Sequence, residues 1–305
     1  MNDLGIVILN WNTRDLLRRC LQTVLASEGD FTFRVIVVDN ASDDGSAEMA
    51  RAEFPQVDVI ASEVNGGYPY GNNLGLRRLG FHADGAVEAD APRYALLLNP
   101  DTEVPPDALF NMVAFMDANP DIGAAGPKLV LPDGSLDRAC RRSFPTPLVS
   151  LYHFAKLAKL FPNSPRFARY NMTFVDPDEE IEVDSVVGAY MQVRREAIAA
   201  VGLLDETFFM YGEDIDWAYR IKKTGWKVYY HPQVVVTHVK RAASRQSQRA
   251  QFEFWRAMLI FYRKHYRTTT PFWLHSLILM GLLAKGGRNL WPEIRQSTLT
   301  LTTNS

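Results

Sequence analysis

The sequence predicts an α/β protein, an open and mostly parallel sheet flanked by helices, with a helical extension at its C-terminal end. Three observations carry this. Short, largely apolar runs at residues 5–9 (GIVIL), 34–38 (RVIVV) and 94–98 (YALLL) have the length, and lack the alternation, expected of strands buried on both faces. Segments of helical periodicity lie among them, the alternation that right-handed crossovers wind into a parallel sheet. Each run then breaks off in polar residues: Asn10-Trp11-Asn12, Asp39-Asn40 and Asn99-Pro100-Asp101. Ligands of such sheets sit at the carboxyl ends of the strands.

In chain order, the strand at 5–9 leads to a helix capped by Asn12 or Thr13, with Leu16, Leu17, Cys20, Leu21, Val24 and Leu25 at helical spacing. The strand at 34–38 ends at Asp39, whose carboxylate is placed to accept from a base imide or a ribose hydroxyl, or simply to shape the DNASDDGS turn. A helix opens at Ser42 and runs to about 53, and residues 57–61 form a third strand. Without a G-x-G-x-x-G after the first strand, a dinucleotide site of the Rossmann type is not expected. The stretch 65–75 (NGGYPYGNNLG) reads as a loop whose glycines let the backbone approach a ligand.

The run 94–98 stops at Asn99-Pro100-Asp101, because Pro100 cannot continue a central strand. A helix from Pro105 to about 118 and a strand at 123–131 follow. Residues 133–180, poor in periodicity and punctuated by prolines, read as an excursion over the active face, with a short helix at 150–160. Strands at 183–187, 227–230 and 234–236 and helices at 194–201 and 213–223 complete the first domain, 1–240. Glu213, Asp214 and Asp216 open the last helix, behind the uncharged Phe208-Phe209-Met210-Tyr211. Acidic first turns are favoured by the helix dipole, and a carboxylate at the edge of an apolar wall is also placed as a general base.

The net charge of −2 hides a division. From Ala218 onward the chain carries 15 of its 33 Lys/Arg but only two of its 35 Asp/Glu, pointing to a polyanionic partner, nucleic acid or an anionic membrane surface. Phe252, Trp255, Leu259, Tyr262 and Tyr266 form one stripe of a helix, while Arg249, Arg256 and Arg263 fall seven apart on another face. A basic amphipathic helix of this kind suits an anionic bilayer and is a poor base-stacking platform, so nucleic acid is not expected. The apolar run 271–284 is shorter than a span and is expected on a bilayer, on the first domain or on a second copy of the chain in a homo-oligomer. Two cysteines and no signal peptide before the first strand fit a cytoplasmic protein, peripheral on the inner face of the cell membrane.

Taken together, ILNWN, VVDNASDDGS, NGGYPYGNN, LNPDTEV, GLLDETFFMYGEDIDWAYRIKKTGW and the region of His238 resemble, in order, the inverting family-2 glycosyltransferases of GT-A fold, especially bacterial non-processive rhamnosyltransferase-like members. The resemblance runs from Val7 to about Tyr266. It implies transfer of a single sugar, L-rhamnose from dTDP-rhamnose, to a hydroxyl of a lipid-linked saccharide in cell-surface polysaccharide synthesis, with a UDP-sugar or other donor, or a non-catalytic nucleotide-binding scaffold, as the alternatives. By position, Asp39 looks like the base-holding residue, with Asn10, Asn65, Gly67, Asn99 and Glu213 in the same nucleotide-sugar site. Asp101 resembles the last member of the family's DxD metal motif and His238 the later ligand, for Mn²⁺ or Mg²⁺. Asp214 looks like the catalytic base. Asn99 stands where DxD has its first Asp, and the Gln-x-x-Arg-Trp signature of processive synthases is absent.

Overall fold

The computed structural model describes residues 2–240 and 248–295. The chain first alternates β1 (Leu4–Asn10), α1 (Arg14–Leu25), β2 (Phe33–Asp39), α2 (Ser46–Glu53), β3 (Asp58–Ala61), α3 (Tyr68–Arg78) and β4 (Tyr94–Leu98). Next come β5 (Thr102–Glu103), α4 (Ala108–Ala118), β6 (Ile122–Val130), α5 (Pro147–Phe154), α6 (Leu157–Leu160), β7 (Ile181–Glu182), β8 (Tyr190–Arg194), α7 (Arg195–Val201), α8 (Glu213–Lys223) and β9 (Lys227–His238). Three helices close it: α9 (Gln248–His265), α10 (Phe272–Gly286) and α11 (Trp291–Arg295).

The strands form one nine-stranded sheet in the order β3-β2-β1-β4-β8-β6-β9-β5, with β7 also on β9. The long pairings β1 with β2 and β4, β2 with β3, and β6 with β9 are parallel, and β8 runs antiparallel between β4 and β6. Helices cover both faces, which is why β1 and β4 are apolar almost throughout: their side chains meet the core on either side. Register places Asn10 directly beside Asp39, and pairs Ile8 with Leu98, so β1, β2 and β4 end together. The fold is the α/β architecture expected from the sequence, with the helical extension in place.

Four local expectations are corrected. The Gly- and Asn-rich stretch is not a loop to Gly75 but enters α3 at Tyr68. Its glycines serve close packing: a Cβ on Gly71 or Gly75 would fall 2.2 Å from Leu9 or 2.4 Å from Val7 of β1. The strand expected at 183–187 is instead an irregular buried connection, and the strand is β8. Its charged and amide residues concealed it, yet Gln192 is fully buried and the Arg194 guanidinium lies over the Tyr94 and Trp226 rings. Residues 227–230 and 234–236 belong to a single β9, in which a register shift against Pro127 and Lys128 accommodates the intervening residues and Pro232. The short helix at 150–160 is two helices, broken at Lys156 with φ +57°.

The apolar stripe of α9 is not open to a bilayer. Ala257, Ile260 and Phe261 pack on Phe208 and Ile215 of the sheet domain, while Leu259 joins Leu282 and Leu290, with Phe252 and Trp255 against the same cluster. Its arginines are engaged as well. Arg249 stacks 4.4 Å over the Phe209 ring, Arg256 donates to the Thr207 carbonyl, and Arg263 donates to the carbonyls of Glu293 and Ile294. The expected boundary at 240/241 and the basic residues Arg241 and Arg245 fall at the edge of, or outside, the described residues.

Candidate active site

The site is assembled at the common end of β1, β2 and β4. Asn10 Nδ2 donates to Asp39 Oδ1 at 3.0 Å, and the Ser42 N–H donates to Asp39 Oδ2 at 3.0 Å. A carboxylate has about four acceptor sites, so Asp39 is fixed in direction and retains capacity toward a ligand. Thr13 Oγ1 holds the other end of Asn10, donating to Oδ1 at 2.6 Å.

Asn65 and Gly67 join this end through Asn40, a strand-end residue to which the sequence assigned no separate role. Asn40 Nδ2 donates to Asn65 Oδ1 at 2.9 Å and to the Gly67 carbonyl at 3.2 Å. Gly67 has φ +92°, and a Cβ there would stand 2.3 Å from the Phe209 carbonyl oxygen, so only glycine lets the two backbones meet. The Tyr68 N–H donates to that same carbonyl at 2.7 Å.

Asp101 and His238, far apart in sequence, are brought together by β5 pairing with β9: His238 Nε2 lies 3.3 Å from Asp101 Oδ1. His238 Nδ1 is 2.9 Å from Asp137 Oδ2, and Lys240 Nζ donates to Asp137 Oδ1. Burial alone would depress the imidazole; Asp101 and Asp137 outweigh it and hold it above its usual value. Asp137 itself is held well below the ordinary carboxylate range, its partners His238 and Lys240 overcoming the cost of burial. Neither periodicity nor motif distinguishes Asp137, which lies in the irregular 133–180 segment. No cluster of three or more His, Cys, Asp or Glu side chains capable of holding a metal occurs among the described residues. Asp101 and His238 thus offer one oxygen and one nitrogen, a pair that fits a divalent cation when substrate phosphate oxygens supply further ligands.

Glu213 and Asp214 open α8 after Gly212, and both are buried. Asp214 Oδ2 accepts from Arg142 Nη2 at 2.5 Å and from the Gly188 N–H at 3.0 Å. Arg142, also unmarked in the sequence, donates to the Val186 carbonyl too. Glu213 Oε2 is buried with no hydrogen-bond partner among the described residues. Burial, then the charge of Asp214, pushes the Glu213 carboxyl up to about 8. The two neighbouring acids are therefore set apart, Asp214 ion-paired and Glu213 pushed by burial toward its protonated form. Asp216 faces away, accepting from Arg220, Lys264 and His265, and anchors α9.

Residues 186–189 tie these parts into one site. The Gly188 carbonyl accepts from Tyr68 Oη at 2.7 Å and its N–H donates to Asp214; the Ala189 carbonyl accepts from the Asn99 N–H at 3.0 Å. Burial raises the Tyr68 phenol well above its ordinary value, and Glu213, Asp214 and Asp101 add to it, so the three carboxylates share its surroundings.

The chain as a whole is similar to known proteins. The N-acetylglucosaminyl-diphospho-decaprenol L-rhamnosyltransferase of Mycobacterium tuberculosis is 31% identical over 238 residues, covering 78% of this chain and 76% of that protein. The crystal structure of GalNAc-T7 with UDP, GalNAc and Mn²⁺ is similar with a TM-score of 0.59 at 16% identity, over 86% of this chain and 48% of that longer one. The mannosyltransferase PcManGT of Pyrobaculum calidifontis, in complex with GDP-Man and Mn²⁺, has a TM-score of 0.57 at 16% identity, over 98% of this chain and 76% of its own. The structural likenesses establish the GT-A fold. Residues 2–253 match the family model described as glycosyltransferase like family 2, and the chain therefore belongs to the family-2 glycosyltransferases, among their rhamnosyltransferase-like members.

Proposed function

We propose that the protein transfers one sugar, L-rhamnose from dTDP-rhamnose, to a hydroxyl of a lipid-linked saccharide on the cytoplasmic side of the membrane, with inversion at the anomeric carbon. The observation that carries this reading is the meeting of the Asn10–Asp39 strand ends, the Asp101–His238 corner and the Arg142–Asp214 pair around residues 186–189. The rhamnosyltransferase relative, named for N-acetylglucosaminyl-diphospho-decaprenol, a lipid-linked sugar, supports the sugar and the acceptor class.

In this reading Asn10, Asp39, Asn65 and Gly67 receive the base and ribose, with Asn99 at the adjoining strand end. Asp101 and His238 would hold Mn²⁺ or Mg²⁺, in keeping with the Mn²⁺ in both structural neighbours, and Asp137 would fix the imidazole that binds it. The bound cation supplies positive charge to the diphosphate leaving group. Asp214, oriented by Arg142 and the Gly188 N–H, takes the proton of the acceptor hydroxyl as its oxygen bonds to the anomeric carbon. The bond from that carbon to the diphosphate breaks, and the nucleoside diphosphate departs. Protonated Glu213 has an O–H to donate to a substrate oxygen.

The test is a thermal-shift screen of dTDP, UDP and GDP with Mn²⁺, followed by a transfer assay from the matching nucleotide sugar to a polyprenyl-diphosphate-linked saccharide. UDP is included because thymine and uracil present the same imide edge to Asp39. A ligand at a hundredfold excess over its Kd stabilises by about 2.7 kcal/mol, enough to raise the melting temperature visibly. Stabilisation by dTDP and transfer of rhamnose support the reading; binding of another nucleotide alone changes the donor, and binding without transfer of any sugar supports the scaffold alternative.

A further inference from the structure

Covering the stripe of α9 creates another apolar surface. α10 is apolar over most of its circumference, and one side is used against α9, through His275, Ile278, Leu279 and Leu282. On its remaining surface Phe272, Trp273, Leu277 and Met280 are each more than half exposed, as are Leu151 of α5 and Leu160 of α6. The two segments approach each other at Trp255, whose ring lies 5.1 Å from that of Phe154 at the end of α5 and which packs in the cluster formed with α10. Exposed apolar surface on this scale marks an interaction site.

The segments that carry it hold charges of one sign, and the nearest acids of α9 and α11, Glu253 and Glu293, are paired with Arg256. No Asp or Glu occurs at 138–175 or at 254–292, the stretches containing α5, α6 and α10. Lys156, Lys159, Arg169, Lys285 and Arg288 are exposed, and none of them is in a salt bridge among the described residues. A protein partner would have to supply matching acids in an apolar frame. An anionic bilayer supplies both halves at once, hydrocarbon for the Leu, Phe and Trp side chains and headgroup charge for the lysines and arginines. Insertion would be in-plane: α10 has 15 residues, a length of about 22 Å at 1.5 Å per residue, against a hydrocarbon core of about 30 Å. No helix among the described residues is long and apolar enough to cross a membrane.

We infer that α5, α6 and α10 form a docking face for an anionic lipid bilayer, with the exposed side chains of α10 entering the interface and the lysines of α6 and its approach meeting the headgroups. The inference rests on the proposed lipid-linked acceptor for its purpose, and adds where the membrane lies. α5 begins five residues after Arg142, which contacts Asp214, so a bilayer on this face sits beside the carboxylate assigned to the acceptor.

The experiment is co-sedimentation of the full chain with phosphatidylcholine vesicles with and without phosphatidylglycerol, for the wild type and two double variants, W273S/L277S and K156E/K159E. The wild type is expected to partition onto the phosphatidylglycerol vesicles and to be released by salt, and each double variant to lower partitioning by about tenfold. All four positions are exposed, so unchanged circular dichroism and melting temperature are expected in the variants. Failure of the wild type to bind anionic vesicles, or binding insensitive to both substitutions, overturns the inference. So does a dimer in light scattering that W273S/L277S converts to monomer without changing vesicle binding, since the face would then belong to a second copy. Transfer to a water-soluble acceptor analogue, expected to be equal in the wild type and both variants, keeps the readings apart. Absence of transfer with intact vesicle binding refutes the proposed activity and leaves the docking face standing.

Discussion

Arg142 Nη2 lies 2.5 Å from Asp214 Oδ2, and the two side chains are only 11% and 7% exposed. The contact joins the irregular segment after β6 to the first turn of α8, and it fixes the direction of the carboxylate assigned as base. Asp214→Asn keeps the size but removes the basicity, so transfer is expected to fall by roughly 10²–10⁴-fold with donor affinity near wild type. Steady-state kinetics alongside calorimetric titration of the nucleotide measure both; an undiminished rate shifts the base to another group.

Removing the other partner has a different signature. Arg142→Gln leaves a buried carboxylate without its counter-ion, at a cost of about 3–5 kcal/mol. Arg142→Lys keeps the charge while losing the fixed, planar placement of the Nη2 that donates to both Asp214 and the Val186 carbonyl. The Lys variant is expected to recover much of the folding stability and to retain the donor KM, while kcat stays low. Full recovery of kcat along with stability would make Arg142 a structural ion-pair partner only.

Glu213 predicts a pH dependence of stability. Its carboxyl ionises near 4.5 in an unfolded chain and near 8 in the folded protein. Between those values the folded state holds a proton that the unfolded state has released, so stability falls as pH rises through the window, and the loss is complete above the folded value. Glu213→Gln removes this titration. Denaturant unfolding across the window should show the wild type losing stability more steeply than the variant; parallel curves would mean that Glu213 is already ionised.

At the Asp101 corner, Asp101→Ala is expected to abolish Mn²⁺-dependent nucleotide binding. Asp137→Asn should weaken it by roughly 10–100-fold, because His238 loses the partner that orients its ring. Calorimetric titration of dTDP with and without Mn²⁺ reads both directly. Equal affinity in wild type and Asp101→Ala with Mn²⁺ present would place the cation elsewhere.

Gly67→Ala tests the contact between the proposed donor pocket and the loop before α8. The φ of +92° and the 2.3 Å approach of a Cβ to the Phe209 carbonyl oxygen combine backbone strain with a clash against main chain. A loss of about 1–3 kcal/mol is expected, together with a higher donor KM. An unchanged melting temperature would show that the two loops separate at little cost.

The sequence exposed those parts of the fold and site that residue type alone betrays. Apolar runs marked β1, β2 and β4, and the polar residues at their ends marked Asn10, Asp39, Asn99 and Asp101. Gln192 and Arg194 hid β8, because the one is buried and the other spends its charge on carbonyls and aromatic rings. Asp137 and Arg142 escaped notice for a related reason. Each acquires its role only when a distant segment arrives: β9 carries His238 to Asp137, and α8 carries Asp214 to Arg142. The stripe on α9 was visible, but its covering was not, since an amphipathic pattern reports the need for an apolar partner and leaves its identity open.

Residues 186–189 contribute to the site almost wholly through main-chain atoms: the Val186, Gly188 and Ala189 carbonyls and the Gly188 N–H. Peptide groups are common to all residues, so the hydrogen bonds of this junction place few demands on side-chain identity. The restrictions it does impose are of another kind. Proline at 188 would delete the donor to Asp214, proline at 99 would delete the donor to Ala189, and any Cβ at 188 would stand 2.7 Å from Tyr68 Oη. Val186 and Ala189 are buried in the core, so their side chains must stay apolar and of a size that packs, but their hydrogen bonds do not depend on which such residues are used; a second protein sharing this connection needs to share only its backbone path and its packing.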